Sequence, residues 1–421
     1  GADSTALLHA ICAIRDQLRG PVTAIHINHG LHGDASGWQT RCEQFCKHYR
    51  VPLVSQEIEP VANSGQGLEA EARRLRYEAI ASQLGPGAGL LTAHHADDQA
   101  ETLLLNLMRG SGVDGLAAMP NSRPFGEGLL QRPLLEFQGN ALRRYLDENK
   151  VEWIEDPSNQ QVEHDRNFIR HEIIPLLERR WPAVSQRLLL TCGAMRSARR
   201  LLEGLADDYL AANLVHPQVL QITADAGSNS ELFKLAVRRW IRNSDLPSIP
   251  AYRLESLFEQ THTAGEDRQV SVEWDVCALR CYRQQLWLLP RGDIEPCPAR
   301  QWPEDKQQLD LDDIGRLVLS GGLSGKLPGN LMVDKRSSLE KDVILQGGRH
   351  KALKNIFQAC GIPAWLRDSI PVISHAGEVV AVGDLFFSDR FANLLSGHGI
   401  TLNWRPRNAL LQYIQAQQNQ R

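Results

Sequence analysis

The run His94-His95-Ala96-Asp97-Asp98-Gln99-Ala100-Glu101-Thr102 sets acidic groups beside two imidazoles. Asp98 and Glu101 are three residues apart, so on a helix they face the same way. Such a group suits Mg2+ binding or proton transfer. Asp-x-x-Glu at a helix start is also close to a capping box, where the same side chains only satisfy backbone donors. A second candidate opens the chain. Gly1-Ala2-Asp3-Ser4-Thr5 leads into an apolar helix. Glycine lets the backbone approach an anion, and the free N–H groups of a helix start point at it. Ser4 and Thr5 add hydroxyl donors. Asp3 repels a bare phosphate, so its use would be to hold Mg2+ that bridges phosphate oxygens. Ordinary capping by Asp or Ser is the plain alternative.

Three further sets carry candidate side chains. His26 lies in His26-Ile27-Asn28-His29-Gly30-Leu31, at the end of a β-prone run. Glu69, Arg73, Arg76 and Ile80 share one helical face. Glu69 and Arg73 read as a surface pair of small worth, whereas Arg76 suits bidentate phosphate contact. Arg166 and Arg170 lie one helical turn apart and either grip phosphates or pair with Glu163 and Glu172. Two basic stretches, Lys335 to Lys354 and Arg238-Arg239 with Arg242, are by default solvated faces.

The elements that must position these groups follow a clear rhythm. Helical spacing from Thr5 to Leu18 is followed by a strand at Val22 to Asn28 and a helix at Trp38 to Tyr49. Then come a strand at Leu53 to Ile58, a helix at Leu68 to Leu84, a strand at Gly89 to Ala93 and a helix at Asp97 to Arg109. This alternation predicts an α/β domain with a parallel sheet covered on both faces. Ligands are expected at the carboxyl ends of its strands. The opening turn implies one more strand ahead of Gly1. Beyond Pro182 the pattern changes to helices (Ser185 to Leu214, Ser230 to Asn243, Ala251 to Gln260), then strands at Val270 to Trp274 and Gln284 to Leu289. The Pro- and charge-rich stretch 291–305 reads as a linker. Short strands and a basic helix near Lys351 to Cys360 follow, with a frayed Gln-rich tail. The expected domains are 1–197, 198–290 and 306–421.

Composition sets limits on this reading. The 421 residues are 42% hydrophobic and 23% charged, a globular balance. The net charge of -4 gives no global attraction to nucleic acid, so any RNA contact must use local basic patches. No apolar run approaches the roughly 20 residues of a bilayer span. The eight cysteines include no Cys-x-x-Cys pair, which favours buried thiols in a cytosolic protein over a metal or redox centre.

Taken in order, these segments resemble tRNA(Ile)-lysidine synthetase, of the N-type ATP pyrophosphatase superfamily. The matching runs are His-x-Asn-His-Gly-Leu at 26–31, Glu-Ala-x-Ala-Arg-x-x-Arg-Tyr at 69–77 and His-His-x-Asp-Asp-x-x-Glu-Thr at 94–102. Arg-Gly-Ser-Gly at 109–112, Arg-Pro-Leu-Leu at 132–135, and Glu-Asp-Pro-Ser-Asn with Arg-Asn-Phe-Ile-Arg at 155–170 continue the series. Gly-Gly-Arg-x-x-x-Leu-Lys at 347–354 and Pro-Ala-Trp-Leu-Arg-Asp at 363–368 complete it. Gly1 to Ser4 is similar to the tail of the family's Ser-Gly-Gly-x-Asp-Ser pyrophosphate loop, with its first Ser and Gly absent.

The resemblance implies an adenine nucleotide alpha hydrolase-like domain, a mostly helical middle domain and a small α+β C-terminal domain. It implies ligation of L-lysine to the wobble cytidine of a CAU-anticodon tRNA(Ile), with ATP and Mg2+, through an adenylated tRNA. It assigns catalysis to Asp3, Asp98, Glu101 and His95, and metal to Asp3 and Asp98. ATP contact falls to Gly1, Asp3, Ser4, Thr5, His26, Arg76 and Arg166. Contact with tRNA falls to Arg170, Lys335, Arg336, Arg349, Lys351 and Lys354. A homodimer is compatible with this reading, and no membrane partner is expected. The rivals are another tRNA-directed pyrophosphatase, such as a thiolase, and a noncatalytic tRNA-binding relative. The absence of Cys-x-x-Cys counts against the thiolase.

Overall fold

The computed structural model describes residues 1–28, 35–58, 68–154, 165–223, 229–263, 270–292, 294–321, 331–336, 343–346 and 349–419. The chain divides into two compact units, Gly1–Leu202 and Glu203–Arg421. The expected middle and C-terminal regions thus share one unit. His29, Gly30, Leu31, the run 155–159, Glu163, Lys341, Gly347 and Gly348 lie outside the described residues.

The first unit opens with α1 (Ala2–Ala13), β1 (Ala24–Asn28), α2 (Ala35–His48), β2 (Leu53–Glu57), α3 (Leu68–Ala81) and β3 (Gly89–Leu91). It continues with α4 (Ala96–Met108), α5 (Val113–Leu116), β4 (Ser122–Phe125), β5 (Gly128–Gln131), α6 (Gly139–Glu148), α7 (Asp165–Phe168) and α8 (Ile174–Arg180). β1 and β2 pair in parallel, with His26 opposite Ser55. β3 pairs in parallel with β5, and β4 returns antiparallel on β5. The expected sheet is therefore present as two ladders, one of two strands and one of three. The β4–β5 hairpin is an addition that alternation alone did not reveal: its strands are short and Pro124 interrupts the pattern.

What positions the chain's opening is the seam between α1 and α6. Ala2 and Ala6 on α1 pack with Leu142, Leu146 and Val151. Alanines at that spacing put two small side chains on one helical face, so the helices approach closely. α6 turns Leu142 and Leu146 inward and leaves Arg143 and Arg144 on the other side.

In the second unit, β6 (Leu214–His216) and β7 (Val219–Gln221) join β8 (Val270–Trp274), β9 (Cys277–Tyr282) and β10 (Gln285–Pro290) in an antiparallel sheet. α9 (Val184–Asn213) precedes it in sequence, and α10 (Ser230–Asn243) and α11 (Ala251–Thr263) interrupt it. Phe233, Ala236, Val237, Trp240 and Ile241 form the buried stripe of α10. The indole N–H groups of Trp240 and Trp274 donate to the carbonyls of Pro217 and Pro247, both at 2.8 Å. Beyond it, β11 (Arg300–Trp302) falls inside the stretch read as a linker. Cys297 and Trp302 are 1% and 2% exposed there, so two apolar anchors tie that polar segment into the unit's core.

Among the described residues nine strands and three α-helices then complete the unit. β12 (Gln308–Asp310), β13 (Arg316–Gly321), β14 (Leu331–Asp334), β15 (Val343–Gln346), β16 (Arg349–Ala352), α12 (Leu353–Ala359), β17 (Val372–His375) and β18 (Glu378–Val382) come in that order, followed by β19 (Phe386–Phe387), α13 (Asp389–Gly397), β20 (Ile400–Arg405) and α14 (Ala409–Asn419). The Gln-rich tail expected to fray is thus helical over Ala409–Asn419, anchored by buried Leu410, Leu411 and Ile414. β15 and β16 form a hairpin, so Arg349 and Lys351 stand on a strand, and the helix expected from Lys351 begins at Leu353.

Leu146 is fully buried in the α1–α6 seam. Leu146→Ala is expected to cost about 2–5 kcal/mol, the usual range for a truncated core leucine. Urea denaturation followed by circular dichroism checks this, and a loss below about 1 kcal/mol would show that the seam is not a tightly packed contact.

Candidate active site

α4 begins where β3 has ended, at the carboxyl edge of its ladder. His95 is the N-cap residue: its Nδ1 accepts from the Asp97 amide at 3.3 Å. Asp98 reciprocates, its Oδ2 accepting from the His95 amide at 2.9 Å. A capping box is indeed present, but it runs from His95 to Asp98 rather than from Asp98 to Glu101. The opposite ring atom, His95 Nε2, lies 3.6 Å from Asp3 Oδ2 and 3.7 Å from Asp98 Oδ2. One imidazole therefore links the start of α1 to the start of α4.

Gly139 supports this arrangement from α6. Its amide donates to Asp97 Oδ2 at 3.0 Å. A Cβ there would stand 2.9 Å from Asp97 Oδ2 and 3.2 Å from His95 Cε1. Only glycine allows α6 to come this close without moving those groups.

Glu101 is wholly buried and Asp98 nearly so. Arg166 Nε donates to Glu101 Oε2 at 2.7 Å and its terminal NH2 to Asp98 Oδ1 at 2.7 Å. Arg170 Nε donates to Glu101 Oε1 at 2.6 Å, and its NH2 reaches Asp98 Oδ1 at 3.1 Å and Glu101 Oε2 at 3.0 Å. Two buried carboxylates thus meet two guanidinium groups in a closed network, the arrangement that makes buried charge tolerable. Arg170, expected at the RNA, takes part in this cluster, because the carboxylates need two cations. Of the two readings, phosphate grip or local pairing, neither named Asp98 and Glu101 as the carboxylates these arginines meet; Glu163 lies outside the described residues. The backbone between α7 and α8 helps: Ile169–Ile173 forms a π-helical turn, and Arg170 sits within it. Such widened turns often mark functional segments.

Charges within the group set its protonation. Burial works against ionising Asp3, but His95, Arg143 and Arg170 outweigh it and hold the carboxyl below its usual range. Burial likewise opposes the imidazolium of His95, but Asp3, Asp98 and Asp97 overcome it and raise its pKa. His94 goes the other way. Burial, followed by the charges of Arg132, Arg166 and Arg73, lowers it to about 4 against the pull of Asp98. Its Nδ1 is 2.9 Å from Thr92 Oγ1.

The remaining expected residues are placed as follows. Ser4 is exposed on α1, and Thr5 gives its hydroxyl proton to the Gly1 carbonyl at 3.0 Å. His26 is on β1, its Nδ1 3.9 Å from Cys42 Sγ. Arg76 lies over the Tyr77 ring at 5.4 Å. In the other unit Arg336 pairs with Asp368 at 2.9 Å, while Arg349, Lys351 and Lys354 are exposed. Arg239 is held bidentately by Asp207 at 2.8 and 2.9 Å and Arg242 lies 3.4 Å from Glu203, so two arginines of the middle basic stretch are paired within the unit. Arg132, Gln99 and Gly139 were not singled out. Gln99 exchanges two 2.8 Å bonds with the Met119 backbone, a role that leaves no mark on residue spacing.

The metal assignment fits only in part. Asp3 is 40% exposed at its side chain, so a cation can reach it beside His95. Asp98 does not fit, because both its oxygens already accept hydrogen bonds from His95, Arg166 and Arg170. Among the described residues no three His, Cys, Asp or Glu side chains are grouped to hold a metal ion. Mg2+ bound chiefly through substrate phosphates needs only one or two protein carboxylates.

Comparison with known proteins decides the family. The PP-loop domain family matches residues 1–177, the TilS substrate binding domain 229–287 and the TilS substrate C-terminal domain 331–404. The tRNA(Ile)-lysidine synthase of Alkalilimnicola ehrlichii is 40% identical, over 93% of this chain and 89% of that protein. The chain belongs to the tRNA(Ile)-lysidine synthase family. The synthases of Methylococcus capsulatus and Xanthomonas axonopodis pv. citri are 36% and 34% identical, each over 96% of this chain and over 94% and 92% of theirs. A solved structure, the U34-tRNA thiolase NcsA from Methanococcus maripaludis with its [4Fe-4S] cluster, overlaps with a TM-score of 0.38 and 18% identity, over 48% of this chain and 70% of that one. Family membership makes the chain an enzyme, an ATP-binding ligase of tRNA modification, built on a PP-loop domain of the N-type pyrophosphatase fold. Among the described residues no helix is long and apolar enough to cross a membrane.

His94 gives a pH test. Its folded pKa of about 4 lies below the ordinary 6.5. Between those values the unfolded chain binds a proton that the folded chain refuses, so stability falls as pH drops from about 6.5 toward 4. His94→Gln is expected to flatten that part of the profile. Melting temperatures of both proteins between pH 7 and 5 check it; parallel profiles would contradict it.

Proposed function

We propose that this enzyme joins L-lysine to C2 of the wobble cytidine in a CAU-anticodon tRNA(Ile), through an adenylated tRNA. The observation that carries the reading is the meeting of Asp3, at the anion-binding start of α1, with the His95–Asp98–Glu101 cluster at the start of α4. The family relation adds the substrate class. One helix start receives phosphates, and the acidic group beside it receives an amine.

In the first step the cytidine C2 oxygen attacks the α-phosphorus of ATP and pyrophosphate leaves. The free backbone N–H groups of the first turn, up to Ser4, and the Ser4 hydroxyl would receive the departing phosphates. Bound at Asp3, Mg2+ would neutralise charge on that leaving group. His26, Arg76 and Arg166 serve the nucleotide or the adenylated base. Arg166 and Arg170 are each about one-third exposed, at 32% and 33%. Arriving phosphates therefore offer them a competing anion.

In the second step the lysine ε-amine attacks C2, the C2–O bond breaks, and AMP leaves with the oxygen. The oxygens of Asp98 and Glu101 that the arginines release attract the lysine ammonium. That group has an ordinary pKa of about 10.4 and must lose a proton before it attacks. His94, protonated only near pH 4, is a weak acceptor. His95, whose affinity for a proton Asp3 and Asp98 raise, is the better acceptor. Lys335, Arg336, Arg349, Lys351 and Lys354 hold the tRNA away from the chemistry. The reaction places the enzyme in the cytoplasm.

The test supplies full-length enzyme with CAU-anticodon tRNA, ATP and labelled lysine. Label in the tRNA with release of AMP is the expected result, and ATP-independent tRNA binding without labelling would refute the ligase. Asp98→Asn and Glu101→Gln should each cut lysine transfer at least 100-fold. Glu101→Gln should also cost about 1–3 kcal/mol, since it leaves a buried network half-satisfied. Wild-type turnover in both variants would remove these residues from the site.

A further inference from the structure

Four arginines that the proposed chemistry only partly uses gather around one aromatic ring. The guanidinium carbons of Arg73 and Arg76, on α3, each lie 5.4 Å from the centre of Tyr77. Arg123, on β4, reaches Tyr77 at 6.0 Å and Phe125 at 5.6 Å. Tyr77 and Phe125 meet edge to face, their centroids 5.6 Å apart. Arg132, just past β5, completes the group at 7% exposure. It donates to the Pro120 carbonyl at 2.8 Å, while its buried Nε has no hydrogen-bond partner.

The charge of this group is not balanced locally. Among the side chains the structure describes, no carboxylate pairs with Arg76, Arg123 or Arg132. Arg74 on the same helix behaves differently: Glu71 and Glu78 hold it at 2.5 and 2.7 Å. α3 thus carries Arg74 neutralised and, two residues on, Arg76 with no such partner among the described side chains. Burial lowers the pKa of Arg132, and the neighbouring charges of Arg123 and Arg73 push it further down. Like charges held together this way are stabilised by a polyanion. The group also lies within electrostatic reach of the active site, since Arg132 and Arg73 both act on His94.

We propose that Arg73, Arg123 and Arg132, with Tyr77 and Phe125, form a rim that grips the RNA backbone next to the cytidine being modified. This rests on the tRNA-ligase reading above. Guanidinium groups bind phosphate bidentately, and the interleaved rings offer flanking bases a stacking face. A free nucleotide's phosphates have their own receptor at the start of α1. The arginines come from two separate elements, a helix and a hairpin, which suits a strand of successive phosphates better than one compact anion. The contacts are to backbone and ring faces, so the rim positions the RNA without reading its sequence.

Arg123 is the residue to test, because it is exposed and meets the fold through the faces of Tyr77 and Phe125 rather than through the buried core. Full-length enzyme is titrated with an anticodon stem-loop RNA, and lysine transfer is measured in parallel. Arg123→Ala should weaken RNA binding about 10-fold and lower the slope of log affinity against log salt by roughly one. The KM for tRNA should rise equally, while kcat and the KM values for ATP and lysine stay within about 2-fold. Arg123→Lys should recover part of the loss. Unchanged RNA affinity and salt slope would overturn the rim, as would a rise confined to the KM for ATP. If wild-type enzyme binds the stem-loop but transfers no lysine, the ligase reading fails, and the binding titration still decides the rim.

Discussion

Everything in the active unit is arranged around a buried carboxylate. Glu101 has no exposed surface, and Asp98 beside it has little. Two such anions cannot be buried without cations of matching geometry, and Arg166 and Arg170 supply them as bidentate partners. That requirement fixes where α7 and the turn after it must lie. It also puts arginines, carboxylates and an imidazole in one electrostatic group, so that moving any one charge changes the others. A substrate phosphate or an amine entering such a group exchanges partners with it rather than finding an empty slot.

The capping of α4 serves the same end. His95 and Asp98 satisfy the first backbone donors of the helix, and the other ring nitrogen of His95 faces Asp3. Capping and chemistry, posed as alternatives from residue types alone, are here two uses of one set of side chains. α6 closes the arrangement from behind, with Gly139 against His95 and with Leu142 and Leu146 against α1.

Much of this was legible in the chain. Apolar spacing located the elements from α1 to α4 to within five residues, whereas the short α5, α7 and α8, and α6, with few apolar residues, were not foreseen. The pairing of Asp98 with Glu101 on one helical face followed from their spacing. Other features were not legible, for physical reasons. Which cations meet Asp98 and Glu101 depends on a contact across more than sixty residues, as the separation of 65 between Arg166 and Glu101 shows. Short range suggested Glu163 and Glu172 as partners. Composition also misread residues 291–305, since the burial of Cys297 and Trp302 is invisible in a segment averaged as polar. The β4–β5 hairpin was missed for a similar reason, its four-residue strands being too short to show a period.

The π-helical turn at Ile169–Ile173 has a consequence for how this segment can vary in length. In an α-helix each residue advances the azimuth by about 100°, so losing or gaining one residue swings everything beyond it to a different side. A widened turn is such a one-residue surplus, already absorbed. Arg170 lies within it, one turn beyond Arg166, and both must address the same pair of carboxylates. Drift in length is therefore barred between these two arginines, whereas the exposed tip of the neighbouring hairpin at Gly126 and Glu127 carries no such phase to protect.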